Sequence, residues 1–175
     1  MRFVGVDPGF DGAIAVLSLD GTRVRSWPMP TSTIKTGGRP KRQVDLFGLV
    51  RIVEDIISGY DGVHVVTIEH VSASPQMGVS SACNFGGAAM AVEACFAFHS
   101  MVDETIVRIE KVNPAVWKRE MKLIGQTKDA SRHKASRLWP RDAGQFKLAK
   151  DDGRAEAALI AEHGRRITIE RERRR

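Results

Sequence analysis

The sequence predicts a mixed α/β sheet, three antiparallel strands followed by two parallel ones, flanked by helices. Two observations carry this. Three strand-like segments precede the first long helix in meander order, and short connections force them to be antiparallel. After that helix, strands and helices alternate, so a β-branched strand reached through the crossover can pair parallel to the first. At 175 residues the chain suits one compact domain with a real core.

Met1 to Leu19 opens as a β-hairpin whose first strand ends on an acid. Phe3, Gly5 and Asp7 alternate with Arg2, Val4 and Val6, which puts Asp7 at the strand's C-terminal end. Pro8 stops the ladder and Gly9 and Gly12 supply a tight return. A carboxylate beside a buried strand is costly unless paired or bound to a cation. The plain alternative is an Asx-type turn cap. Thr22 to Trp27 reads as the third strand, closed by Pro28-Met29-Pro30. TSTIKTGGRPKRQ follows as a mobile surface loop or hairpin extension, with Lys35, Arg39, Lys41 and Arg42 clustered in it.

Apolar residues at Leu46, Leu49, Val50, Val53, Ile56 and Ile57 predict a helix over 44–57 with a stop at Ser58-Gly59. His64 to Glu69 is a buried strand and again ends on an acid. Ala82 to Phe98 is apolar all round, with Phe85, Ala89, Val92 and Phe96 on one stripe, so it needs cover on more than one side. That makes the helix around Ser80–His99 the expected homodimer surface, with Gly86, Gly87 and Ala88 permitting close approach. Thr105 to Ile109 is a further strand, and Asn113-Pro114 starts a short helix carrying Trp117 and Lys118. Gly125 breaks it. A helix from Thr127 to Trp139, a loop over RDAGQFKLAK, and a last helix from Asp152 to His163, stopped by Gly164, complete the chain. The expected division is a domain over 1–164 and a basic, disordered tail over 165–175.

Composition narrows the partners. The formal charge is +6, and the tail RRITIERERRR, with six arginines and two glutamates, holds four of those charges. The remaining cations cluster in the 35–42 loop and from Lys111 to Lys134, which suits a polyanion. No apolar run reaches the roughly 18 residues of a membrane helix, so no membrane partner is expected. The N-terminus enters a strand at once, without a basic segment leading an apolar core, so a cytoplasmic location is expected. Cys83 and Cys95, if on one helix, stand roughly 18 Å apart, beyond the reach of about 7 Å for a disulfide. Both read as small packing residues.

The acids supply the chemistry. Asp7 and Glu69 end strands whose backbones, if neighbours, lie about 4.8 Å apart, and their repulsion calls for a divalent cation. Asp152 and Glu156, four apart, share a helical face, and Glu156 is out of place within AEAALIA. Asp151 is an alternative to Asp152. Oxygen-only donors with no histidine or cysteine cluster suit Mg²⁺ or Mn²⁺. Two such ions can activate a water and stabilise the leaving oxygen in phosphodiester cleavage.

On VGVDPGFDGAIAVL, TIEHV and DDGRAEAALIAEHG, in this order, the chain resembles the RuvC family of Holliday-junction resolvases, within the ribonuclease-H-like superfamily. IKTGGRPKRQVD and VNPAVWKREMKL look more like its phage-encoded branch. The resemblance runs to about Gly164. It implies a five-stranded mixed sheet, a homodimer on four-way DNA junctions, two Mg²⁺ ions held by Asp7, Glu69, Asp152 and Glu156, and Lys118 and Lys128 beside the scissile phosphate. Arg132 and Lys134 join those lysines as expected phosphate contacts. Two departures stand out. The family's closing aspartates lie three apart, whereas Gly153 stands three before Glu156, which leaves Asp151 and Asp152 both open. The aromatic wedge that follows the second acid in bacterial members is Ser72 here, so a wedge would come from elsewhere, with Met77 a candidate. The rival functions are a nuclease on RNA–DNA hybrids or flaps, and a non-catalytic junction-binding protein.

Overall fold

Strands β1 (Arg2–Asp7), β2 (Ala13–Leu17) and β3 (Val24–Pro28) form the expected meander. The structure is a computed structural model describing residues 1–58, 62, 64–70, 78–102 and 107–175, without the side chains of Thr36 and Arg39. A two-stranded hairpin, β4 (Thr31–Thr36) and β5 (Arg39–Val44), precedes helix α1 (Leu46–Ile57). Strand β6 (His64–Glu69), helix α2 (Val79–Val102) and strand β7 (Val107–Val112) follow. Helices α3 (Pro114–Glu120), α4 (Ala130–Leu138) and α5 (Asp152–Arg173) close the chain. The main sheet runs β3-β2-β1-β6-β7, antiparallel across β3, β2 and β1 and parallel across β1, β6 and β7.

The two faces of the sheet separate by the period of two. Val4, Val6, Ile14, Val66 and Ile68 pack with Leu49, Val53 and Ile56 of α1 and Val92 and Phe96 of α2. Phe3, Ala13, Ala15, Leu17 and Val65 pack on the other face against α5 and the α3–α4 region. Asp7 shares its parity with Phe3, and Glu69 with Val65. Both acids therefore belong to the α5 face.

Helix α5 lies on that face at backbone contact. A Cβ on Gly5 would meet the carbonyl oxygen of Ala157 at 2.1 Å and the amide of Ala161 at 2.3 Å. Gly5→Ala is accordingly expected to cost about 3 kcal/mol or more, because the clash is with helix backbone rather than with a yielding side chain. A denaturant midpoint unchanged from wild type would contradict this contact.

The expected stop at Gly164 does not occur: α5 continues to Arg173, so residues 165–173 are helix rather than a separate tail. A Cβ on Gly164 would sit 2.1 Å from Thr67 Oγ1. The glycine marks close approach to β6, not a C-cap. Arg165 and Arg166 both bind Glu162 at 2.7 Å, Arg171 reaches Glu110 at 2.6 Å, and Thr168 is buried. These contacts turn a run that reads as a solvated cationic segment into packed helix.

Other expectations shift more modestly. Strand β7 lies two to three residues later than Thr105–Ile109, and Thr105 falls outside the described residues. At this sheet edge Arg108, Glu110 and Lys111 interrupt the apolar residues, and the adjacent Glu110 and Lys111 break the alternation that would mark the strand. Helix α4 begins at Ala130 rather than Thr127. The 141–150 loop holds turns of 3-10 helix at Ala143–Phe146 and Ala149–Asp151. It also serves the sheet: Gln145 accepts from Ser26 N at 2.8 Å and donates to Val24 O at 2.9 Å, completing the outer edge of β3.

Helix α2 corrects the membrane-length expectation, being long and apolar enough to cross a bilayer by length and composition alone. Small residues such as Gly86, Gly87 and Ala88 extend its apolar run. In this fold it is a layer on the sheet, seated by Ala88, Val92 and Phe96, with Glu93 paired to Lys111 at 3.0 Å. Cys83 is exposed on it and Cys95 half-buried, so only the latter packs as expected.

Candidate active site

Four acids from three distant segments meet on the α5 face. Asp7 ends β1, and its Oδ1 accepts from Gly9 N at 3.2 Å, so the Asx-type turn forms as well. Burial pushes the Asp7 carboxyl up to about 7; the Gly9 amide and Lys118 oppose this, while Glu69 and Glu156 add to it. Glu69, at the end of β6, accepts from the indole N–H of the buried Trp117 at 2.7 Å. Burial raises its pKa too, with the Trp117 bond and Lys118 opposing and Glu156 adding. Trp117 is delivered by the predicted start of α3, where Asn113 caps the helix by accepting from Ala115 N at 2.9 Å.

The first turns of α5 bring the remaining pair. Asp152 and Glu156 line a cleft of about 570 Å³ together with Asp7, Phe10, Phe85, Lys128 and Lys150. A Cβ on Gly153 would meet Asp11 O at 2.2 Å, so the helix start is pressed onto the β1–β2 turn. Asp152 Oδ1 binds Arg132 Nε at 2.6 Å. Glu156 binds Lys118 Nζ at 3.3 Å and accepts from Ser131 Oγ at 3.2 Å. Asp151 is turned elsewhere: it is buried and accepts from Leu148 N at 2.8 Å, capping the short turn before α5.

The acids are therefore neutralised in part by cations of α3 and α4. Among the described residues, no three His, Cys, Asp or Glu side chains stand together as a ready metal cage. The donor set itself, carboxylates of which Asp7 is raised to about 7 first by burial and then by Glu69 and Glu156, is the kind that a hard divalent cation offsets.

The hairpin meets the same site from the other side. Arg42 binds Asp11 Oδ1 and Phe10 O, both at 2.7 Å, and its guanidinium lies 5.5 Å from the Phe10 ring centre. Lys35 and Lys41 are exposed on the hairpin with Arg42, and Arg39 is placed there by its backbone. Lys118, Lys128 and Arg132 stand at the acids. Lys134 does not: it lines a groove whose walls include none of the four acids.

No protein-family model matches the chain, and no curated protein does. Solved structures do. RuvC of Thermus thermophilus in complex with a Holliday junction substrate superposes with a TM-score of 0.55 at 15% identity, over 97% of this chain and 96% of that one. A second Thermus thermophilus RuvC structure gives 0.53 at 14% identity, over 96% and 97%. The fold is ribonuclease-H-like.

Within this ribonuclease-H-like sheet, sequence reasoning located the acids and missed their partners. Nothing local in the sequence pairs Arg132 with Asp152 or Trp117 with Glu69. Phe85 reads as core on an all-apolar helix, yet it faces the cleft, as does Phe10. Lys150, in a stretch that reads as a loop, lines the cleft as well. Ser72 and Met77 lie outside the described residues.

Proposed function

We propose that the chain is a divalent-metal-dependent endonuclease on branched DNA, four-way junctions foremost, of the phage-type branch of RuvC-like resolvases. One observation carries this: strand parity and the α5 register bring four acids to one face, with Asp7, Asp152 and Glu156 lining one cleft, Glu69 within electrostatic reach of Asp7 and Glu156, and Lys118, Lys128 and Arg132 beside them. The similar Thermus thermophilus RuvC is described in complex with a Holliday junction substrate, which favours the same substrate class here. A cytoplasmic location goes with it.

Asp7, Glu69, Asp152 and Glu156 would hold Mg²⁺, with Mn²⁺ able to substitute and two ions per site. When bound, such ions supply water activation and charge stabilisation at the leaving oxygen. The chain itself does the rest. Trp117 fixes Glu69 by its indole N–H, and the backbone amide of Gly9 fixes Asp7. Lys118, Lys128 and Arg132 offer cationic N–H groups to phosphate oxygens and set register without reading sequence. The hairpin cations Lys35, Lys41 and Arg42 extend the positive surface past the Phe10 turn, and Arg39 belongs to the same strand as the last two.

A specific observation favours a second reading. The pairing of Asp152 with Arg132 and of Glu156 with Lys118 also suits a junction-binding protein that does not cut. One assay separates them: four-way junction, flap, RNA–DNA hybrid and linear duplex, each with Mg²⁺ and with chelator. Paired nicks on the junction are the expected result. Tight junction binding with no cutting in either Mg²⁺ or Mn²⁺ selects the second reading, and preferential hybrid cleavage overturns the substrate class.

The homodimer belongs to this proposal. Helix α2 exposes Met90, Phe98 and Met101, the last at 83%, more apolar surface than a lone chain commonly leaves open. A Cβ at Gly87 meets nothing within 4 Å among the described residues, which leave room for a larger side chain there. Gly87→Leu is expected to shift light scattering at micromolar concentration from dimer toward monomer and to uncouple the two nicks, with folding intact. A wild-type protein monomeric both alone and on a junction removes the dimer.

A further inference from the structure

The acid cleft continues along the chain between α3 and α4. Lys128 and Glu156 also line a hollow of about 210 Å³ together with Lys118 and Ser131. Leu123, Gln126, Thr127 and Ala130 of that hollow are in turn walls of a groove of about 590 Å³. The hollow thus shares walls with the cleft on one side and the groove on the other, and the three make one track.

The charge changes along it. At the acids, Lys118 and Arg132 are each matched by a carboxylate. In the groove, Lys122, Lys134 and Arg137 have no ion-pair partner among the described residues. The acids nearby are engaged: Asp129 with His133 at 3.0 Å, and Glu162 and Glu120 with Arg166 at 2.7 and 3.8 Å. Lys134 is partly buried among like charges; desolvation and then Arg166, Arg137 and Lys122 lower its pKa. Lys122 holds φ at 56° as the left-handed residue that ends α3, its amide bonding Arg119 O at 3.0 Å and that of Leu123 bonding Lys118 O at 2.8 Å, which fixes it at the groove. Unmatched cations grouped in one groove, one of them partly desolvated, repel one another, and an anionic ligand would offset that repulsion. The remaining walls, Leu123 and Leu138 with Gln126 and Thr127, suit the sugar face of a nucleic-acid strand as well as its phosphates.

We infer that this groove is a second phosphodiester-binding site, holding the backbone of the duplex arm that leaves the acid cleft. It rests on the nuclease reading above and extends it. Lys134 then serves DNA at a distance from the acids, with Lys122 and Arg137.

The test is a phosphate-neutralisation scan with the full chain in chelator, where binding is read without cutting. Methylphosphonates are placed one at a time along a junction arm, and affinities are measured for wild type, Arg137→Gln and the Lys134→Gln/Arg137→Gln double variant. Two lost contacts, each a factor of about 8 at 0.1 M salt, predict roughly 60-fold weaker binding and a salt slope reduced by about 1.8. Neutralising the phosphates that lie in the groove should weaken the wild type and leave the double variant unaffected. Equal penalties in both proteins at every phosphate overturn the site. A wild type that binds no DNA overturns it together with the nuclease reading. Wild-type binding with an unaltered double variant overturns the groove alone. A poly-glutamate peptide bound by wild type and lost in the double variant, with DNA affinity equal in both, reassigns the groove to an acidic protein and also overturns it. Arg137 is exposed, so the single variant reports even if Lys134→Gln disturbs folding.

Discussion

Asp7→Asn is expected to abolish cleavage and, in chelator, to make the protein more stable at pH 8. The first effect follows from the place of Asp7 at the centre of the acid group. Asparagine keeps the volume and the oxygen that accepts from Gly9, but not the charge that a cation requires. A loss of at least about a hundredfold, a barrier increase near 2.7 kcal/mol, is expected. A variant cutting at more than about a tenth of the wild-type rate, a change below roughly 1.4 kcal/mol, removes Asp7 from the reaction.

The second effect has a definite sign. Asp7 titrates near 7 in the folded chain, against 3.8 for the unperturbed carboxyl. The folded state therefore holds the proton more tightly across that window, and stability falls as pH rises through it. Above pH 7 the buried charge costs its full amount. Asparagine removes that cost, so the gain is a few kcal/mol at pH 8 and vanishes toward pH 4. Thermal unfolding with chelator at both pH values measures it. An Asp7→Asn protein less stable than wild type at pH 8 would mean that Lys118 and the Gly9 amide already compensate the charge.

Glu156→Gln and Asp152→Asn are expected to lose cleavage by about a hundredfold or more, while Asp151→Asn stays near wild type. Asp152 and Glu156 line the cleft with Asp7, one helical turn apart. Asp151 spends its carboxylate on the Leu148 amide, a bond that asparagine's oxygen can replace. Single-turnover rates on a junction at saturating protein keep binding out of the comparison. Mn²⁺ coordinated by Asp151 in a soaked crystal, or an Asp151→Asn variant as defective as Asp152→Asn, would exchange the two residues.

Much of this was legible in the chain because it is written in short-range periodicity. Alternation in RFVGVD and HVVTIE makes strands ending on acids, and parity alone sends Asp7 and Glu69 to one face. The four-residue spacing of Asp152 and Glu156 puts them on one helical turn, and Asn113-Pro114 specifies the start of α3. These signals are local, and local backbone sterics and hydrophobic period enforce them.

Only the tertiary structure decided the rest. Gly164 reads equally as a helix stop or as a close contact, and Thr67 pressed against it settles the matter by leaving no room for a Cβ. Asp151 and Asp152 are neighbours with the same chemistry; the turn before α5 engages one and releases the other. Lys134 sits two residues from Arg132, yet α4 turns it away from the acids and into a groove of unmatched cations. Ion pairs such as Arg132 with Asp152 and the bond from Trp117 to Glu69 join residues 20 and 48 positions apart. Sequence period determines which face of an element a side chain occupies. Which side chain waits on the opposing element depends on how α3, α4 and α5 pack, and the seat of α5 is set by backbone contact at Gly5 and Gly153 and by the Thr67 side chain at Gly164.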